Sequence, residues 1–134
     1  MIVLPPIARY ALRANHINRR AAAEREMSEP DPAPLIKFFN PLGAQMWLTT
    51  ELAEDGDALW GLADLGFGCP EIGPLSLSEL SAVRLPLGMG IEIDAAFKSD
   101  VPLSVWATWS RRTGSILWTE TLFRQSPPGE PPPD

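Results

Sequence analysis

The stretch TTELAEDGDALWGLADLGFGCPEIGPLSLSEL, residues 49–80, decides the fold, because short apolar runs alternate in it with acidic and glycine-containing turns. Met46–Glu51, which overlaps its start, is rich in β-branched and aromatic residues and predicts a strand. The turn residues Glu54–Asp57 separate it from a second apolar run, Leu59–Leu65. Two strands around a short Asp-Gly turn predict a hairpin. A further strand is expected at Glu71–Leu75, after a break formed by glycines and a proline.

The sequence on either side of this stretch supplies more elements. Ser76 followed by Glu79 matches a capping box, which predicts a short helix that ends before Pro86. Upstream, Leu35–Phe39 predicts the first strand of the sheet, and downstream Ile91–Phe97 predicts another. These elements form an antiparallel meander with helices added to it.

The last third of the chain predicts a second short helix and a final extended segment. Ser99 or Asp100 is expected to cap the helix, which should stop before Gly114. Ile116–Phe123 alternates well enough to predict a last strand or a docked extended segment. The predicted fold is therefore α+β: an antiparallel sheet of about four to six strands, with an N-terminal helical arm and two short helices packed on it.

Proline placement divides the chain into three parts. Residues 6–27 predict a helical arm with a narrow apolar stripe and five arginines, and the proline-rich residues 28–34 predict a linker. We therefore expect an arm and linker at 1–34, a single α+β domain at 35–124 and a disordered proline-rich tail at 125–134.

Composition excludes several classes of protein. The chain has 134 residues and one cysteine, so a single small domain without an internal disulfide is expected. No stretch approaches the roughly 20 apolar residues of a membrane span, and the N-terminus lacks the pattern of a secretion signal. We therefore expect a cytoplasmic protein that does not bind membranes.

The negative charge is concentrated in one block. Between Glu51 and Asp100 ten carboxylates face two basic residues, whereas the whole chain has a net charge of −6. An acidic face of this kind suits a basic protein partner and opposes direct binding of nucleic acid. The candidate partner-binding residues are Glu51, Glu54, Asp55, Asp57, Asp64 and Glu71. The alternative is that this charge only keeps the surface soluble.

No residue pattern typical of an enzyme is present. We predict no catalytic residue, no cofactor and no metal, because the one histidine, His16, and the one cysteine, Cys69, are far apart in the sequence. His16 is expected to be a solvated surface residue and Cys69 a buried turn thiol. The acidic turn Glu54–Asp57 lacks the later ligands of a calcium loop. Four tryptophans, Trp47, Trp60, Trp106 and Trp109, are expected in the core, with an aromatic platform for single-stranded nucleic acid as the weaker alternative.

Four short motifs carry a resemblance to a known family. They are Leu4-Pro5-Pro6 with Arg9, the strand Lys37–Pro41, the segment DGDALWGLADLGFGCPEIG at Asp55–Gly73, and SLSEL at Ser76–Leu80. Over most of residues 4–105 the chain resembles a bacterial family, the domain of unknown function 2958. It departs from the family pattern at Ile93 and Ala96, where a basic residue and an aromatic or histidine residue are expected.

The resemblance implies an accessory role on a mobile genetic element, because such family members are typically encoded among antirestriction and plasmid-maintenance genes. We therefore expect a non-enzymatic protein-binding protein, an inhibitor of the anti-CRISPR or antirestriction type. Its acidic face would dock on the basic nucleic-acid-binding surface of a CRISPR effector, a restriction enzyme or another nucleoprotein. The alternative is a small hydrolase or transferase with an unrecognised carboxylate site.

Overall fold

A computed structural model describes residues 1–126 and shows an α+β domain built on one antiparallel sheet. The helices are Pro6–Glu24 (α1), Leu77–Ala82 (α2), Leu103–Thr113 (α3) and Ile116–Gln125 (α4), with a 3-10 turn at Pro86–Gly88. The strands are Ile36–Phe39 (β1), Met46–Leu52 (β2), Ala58–Asp64 (β3), Glu71–Ser76 (β4) and Glu92–Ile93 (β5). They lie in the order β4-β3-β2-β1-β5, each antiparallel to its neighbour. The predicted fold class and sheet are confirmed, whereas residues 127–134 of the tail predicted to be disordered lie outside the described residues.

The predicted hairpin is formed by β2 and β3, and a glycine in β3 sets how closely they approach. A Cβ atom on Gly61 would lie 2.0 Å from the carbonyl oxygen of Leu48. The two strands can therefore pair at this point only because residue 61 has no side chain.

A β-bulge at Thr50 changes which way the end of β2 faces. Thr49 pairs with Gly61 and Glu51 pairs with Trp60, so Thr50 is an extra residue between the two pairs. Side chains alternate between the faces of a strand, so one extra residue reverses the faces of all residues after it. Glu51 consequently shares the face of Trp60, and Leu52 joins the opposite face.

Both faces of the sheet are covered by helices. On one face α1 and α2 pack on a core of Leu12, Phe38, Trp47, Leu52, Leu59, Leu77 and Leu80. On the other face α3 and α4 pack on a core of Met46, Leu48, Leu62, Leu103, Trp106, Ala107 and Ile116. Each core draws on alternate residues of the strands, which is the pattern expected of a sheet buried on both sides.

The segment predicted as a separate arm, residues 1–34, is part of the domain. Leu12 is fully buried against the sheet. The pairing of β1 with β2 ends at Thr49, and beyond that point side chains of α1 bond the edge of β2. Arg13 donates to the carbonyl oxygen of Leu52 at 2.7 Å, and Asn15 donates to that of Thr50 at 3.0 Å. The helix thus covers an edge that would otherwise expose unpaired backbone groups, and the expected boundary near residue 35 is wrong.

The final strand expected at Ile116–Phe123 is wrong, because this segment is the helix α4. Ser115 caps it, since its hydroxyl accepts the backbone N–H of Trp118 at 3.0 Å. The buried residues Ile116, Thr119 and Glu120 follow helical spacing.

Two smaller expectations also differ from the structure. The strand expected at Ile91–Phe97 is only two residues long, because the chain turns at Asp94, whose carboxylate accepts the N–H of Ala96. The N-cap of α3 is Pro102 rather than Ser99 or Asp100. The hydroxyl of Ser99 instead accepts the indole N–H of Trp106 at 3.0 Å.

Candidate functional site

The six predicted partner-binding carboxylates do not share one face. Asp55 and Asp57 precede the first residue of β3, whereas Asp64 is its last residue. Glu71, at the start of β4, pairs with Ala63 at the same end of β3 as Asp64. A strand of this length spans about 20 Å, so the carboxylates fall into groups at opposite ends of the sheet.

Glu51 is buried and bonded inside the protein, so the expectation that it lies on an exposed face is wrong. Its carboxylate oxygens both lie 2.8 Å from Nε of Arg19, and one lies 3.2 Å from Nδ1 of His16. The Arg19 guanidinium also lies over the Trp60 ring, 5.9 Å from its centroid. The bulge at Thr50 explains this arrangement, because it directs Glu51 to the side where Trp60 and the end of α1 meet.

Asp64 is also buried, and the expectation that it binds a partner at the surface is wrong. Its carboxylate accepts the backbone N–H of Ile116 at 2.9 Å and that of Gly66 at 2.9 Å. Asp64 therefore connects the end of β3 to the start of α4, where backbone N–H groups have no partner within the helix.

The remaining carboxylates at the β2–β3 turn form a cluster with the start of α2. We call Glu54, Asp55, Asp57 and Glu79 the acidic tip; all are exposed except Asp57, which is half-buried. Asp55 accepts the backbone N–H of Asp57 at 2.8 Å and that of Ala58 at 3.0 Å. These two backbone hydrogen bonds lower the pKa of the Asp55 carboxyl below its ordinary value of 3.8.

Asp57 joins the turn to α2. It accepts the hydroxyl of Ser76 and the backbone N–H of Ser78, both at 2.7 Å. The Ser76 bond is the main cause that lowers the pKa of Asp57 below 3.8. Ser76 itself caps α2 as predicted, because its hydroxyl accepts the N–H of Glu79 at 3.2 Å. Asp55 and Asp57 are thus held in place at the tip, which Arg9 borders with its guanidinium beside Gly56.

The Asp57 bonds predict a dependence of stability on pH. Because the pKa in the folded chain is lowered, this contribution is present above about pH 4 and is lost as the pH falls through the folded-state pKa. Asp57→Asn should lower Tm at pH 7, since an amide has only one acceptor oxygen for the two donors, and the difference from wild type should shrink at about pH 3. Thermal unfolding followed by circular dichroism measures both values. Glu54→Gln, a control on the same turn, should leave Tm at pH 7 nearly unchanged, and a constant deficit for Asp57→Asn at both pH values would contradict the assignment.

The sequence did not predict a second charged cluster, which is buried between β1 and α4. Nζ of Lys37 lies 2.9 Å from both carboxylate oxygens of Glu120 and 3.3 Å from a carboxylate oxygen of Asp94. Arg124, one helical turn beyond Glu120, lies 3.1 Å from that residue's carboxylate. A lysine within the apolar strand IKFF was the signal in the sequence, because a charge is rarely buried without a partner.

A cavity of about 540 Å³ adjoins this cluster. Asp94 and Glu120 line it, together with the aromatic rings of Phe97, Trp106 and Phe123. The rings of Trp106 and Phe123 pack edge to face, with 4.6 Å between their centroids. The cavity therefore combines charged and aromatic walls. The prediction that these tryptophans lie in the core is confirmed for Trp47 and Trp106, both buried, and is wrong for Trp60, which is 37% exposed; Trp109 is half-buried.

The burial of the one histidine and the one cysteine differs from what the sequence predicts. His16 is half-buried beside Glu51 instead of solvated, and Cys69 is exposed instead of buried. Within residues 1–126 no three His, Cys, Asp or Glu side chains are arranged to hold a metal ion. In the same part of the chain no helix has the length and apolar character needed to span a membrane.

Comparison with known proteins gives one match. The family described as "Protein of unknown function (DUF2958)" matches residues 3–117. The chain belongs to this family. The DUF2958 match includes α1, in agreement with its packing on the sheet, and ends before Glu120. Neither a curated protein nor a solved structure matches the chain.

Proposed function

We propose that this DUF2958 protein is a non-enzymatic protein-binding domain that docks its acidic tip on a basic surface of another protein. The observation that carries the proposal is the fixed geometry of Asp55 and Asp57 at the tip. Asp55 and Asp57 are held by hydrogen bonds that also favour their charged forms. Glu54 and Glu79 add two exposed carboxylates beside them. Charges that are already in place lose little conformational entropy when a partner binds.

The chemistry of the tip suggests the class of partner. A carboxylate array repels the phosphates of DNA and RNA but matches a protein groove that is built to bind them. We therefore propose a cytoplasmic accessory protein of a mobile genetic element, with an anti-CRISPR or antirestriction role. Its target would be the basic nucleic-acid-binding surface of a CRISPR effector or a restriction enzyme.

Charge reversal at the tip tests this proposal. The double variant Glu54→Lys, Glu79→Lys changes only exposed side chains. Within residues 1–126 neither carboxylate makes a hydrogen bond. Asp55 and Asp57 are left unchanged, because reversing them would also destabilise the fold. Tagged wild-type protein and the double variant would be cross-linked in the native host and the captured proteins compared by mass spectrometry.

We expect the wild type to capture a nucleic-acid-handling protein at low salt and the double variant to lose it. The capture should weaken steeply as salt rises, since exposed charge pairs are screened. Glu71→Lys with Glu92→Lys is the matched control, because it makes the same change of charge at exposed positions away from the tip. Equal loss of capture by both variants would show that only net charge matters and would contradict docking by the tip.

A small enzyme is the second candidate, and the cavity beside Lys37 is the observation that favours it. Asp94 and Glu120 are two of the three carboxylates that line the cavity, and a carboxylate pair in a cavity is typical of acid–base chemistry. Both carboxylates are already paired with Lys37, so acid–base chemistry would first have to release them. A screen of small molecules by thermal shift tests this candidate. A compound that raises Tm of the wild type and of the Glu54→Lys, Glu79→Lys variant, but not of Lys98→Glu at the cavity wall, would support it.

A further inference from the structure

The narrow apolar stripe that the sequence predicts on α1 lies on the side that faces away from the sheet and does not pack on it. Its residues are Ile7, Tyr10, Ala14, Ile17 and Ala21, which we call the outer seam. Ile7 is 87% exposed, Tyr10 80% and Ile17 55%. The buried Leu12 lies two residues after Tyr10, which is about 200° around a helix. The outer seam is therefore opposite the face that forms the core.

The spacing of the outer seam is that of a coiled coil. Its members follow one another at intervals of three, four, three and four residues, so they occupy the a and d positions of two heptads. A helix that packs on a membrane surface needs a wider apolar face, whereas a strict a/d stripe is the narrow seam that pairs with one other helix. The small Ala14 between Tyr10 and Ile17 leaves a space that a side chain from a second helix can fill.

Charge beside the seam indicates which helix would fit. The g positions beside the seam carry Arg20 and Arg13, which also bonds the carbonyl oxygen of Leu52, and Arg25 at the following e position caps the C-terminus of α1. The acidic groups nearest the seam are Glu24, at the next d position, and Glu54 in the adjoining groove. In a parallel pair of two copies, Arg20 of one would meet Arg25 of the other, and in an antiparallel pair the g-position arginines would meet. Both arrangements place like charges together and disfavour a second copy.

We propose that the outer seam binds an amphipathic helix of another protein that carries acidic residues beside its apolar stripe. The α1 helix is already folded on the sheet, so only the partner helix would lose conformational freedom on pairing. The proposal does not depend on docking by the acidic tip, and the outer seam is a docking surface of opposite chemistry that adjoins the tip at Glu54.

A designed peptide tests the proposal with the full-length protein. The probe is a labelled four-heptad helix with leucine at a and d and glutamate at e and g, and a second probe has lysine in place of the glutamates. Fluorescence anisotropy should show that wild-type protein binds the acidic probe at least about tenfold more tightly than the basic one. Tyr10→Ser with Ile17→Ser should weaken binding of the acidic probe by about tenfold or more. Phe67→Ser with Leu87→Ser, a control at apolar residues outside α1 that are at least as exposed, should leave it unchanged.

Charge exchange provides the decisive arm of the test. Arg20→Glu with Arg25→Glu should reverse the preference, so that the basic probe binds more tightly than the acidic one. The proposal would be overturned by equal affinity for the two probes or by binding to neither. Concentration-dependent dimerisation that the Tyr10/Ile17 variant abolishes would assign the seam to a second copy. Tighter binding to vesicles of phosphatidylserine and phosphatidylcholine than to the acidic probe would assign it to a membrane surface, and either result would refute the proposal.

Discussion

Replacing Lys37 by methionine should lower the free energy of unfolding by about 3–5 kcal/mol, because it leaves the Glu120 carboxylate buried without its main cation. Lys37 is 5% exposed and Glu120 8% exposed, so solvent cannot replace the lost interaction. Arg124 would remain near Glu120, but its side chain is largely exposed and is a weaker substitute. Urea denaturation measures the change.

Two further variants show whether the pairing itself is responsible. Lys98→Met removes an exposed lysine at the wall of the same cavity and should change stability by less than about 0.5 kcal/mol. Lys37→Met combined with Glu120→Met should recover most of the loss, since a buried ion pair can often be replaced by apolar residues of similar volume. A double variant that is less stable than Lys37→Met alone would contradict this explanation.

Leu12→Ala should cost about 2–5 kcal/mol, because the leucine is fully buried between α1 and the sheet. This loss would show that α1 belongs to the folded domain and is not an arm attached to it. Ile17→Ala is the matched control on the same helix and should cost less than about 0.5 kcal/mol, since Ile17 is 55% exposed. Equal small losses at both positions, measured by urea denaturation, would mean that α1 does not contribute to the core.

The central hairpin could be predicted from the sequence because its signals are local. The turn at Asp55 and Gly56, the alternating residues around it and the cap at Ser76 each act over a few residues. The register after Thr50 could not be predicted in this way. A bulge depends on how two strands fit together, and here it reverses the faces of Glu51 and Leu52.

In the candidate site, too, the local sequence predicts some features, whereas others depend on contacts between distant parts of the chain. The acidic block is continuous along the chain, yet β3 separates its two ends, and Glu51 and Asp64 turn inward to partners on α1 and α4. Lys37 meets Glu120 across 83 positions of sequence, a pairing that no local pattern specifies. The residues of α4 alternate in polarity like a strand, but those that are buried follow helical spacing. The cap at Ser115 and packing on the sheet stabilise the helix.

Competition with DNA is the most direct measurement of docking by the acidic tip. The captured nucleic-acid-handling protein would be titrated with labelled DNA at increasing concentrations of this protein, and the apparent Kd for DNA recorded. If the tip occupies the DNA-binding surface, the apparent Kd should rise in proportion to the concentration of wild-type protein and stay constant with the Glu54→Lys, Glu79→Lys variant. A ternary complex with unchanged affinity for DNA would contradict docking on that surface.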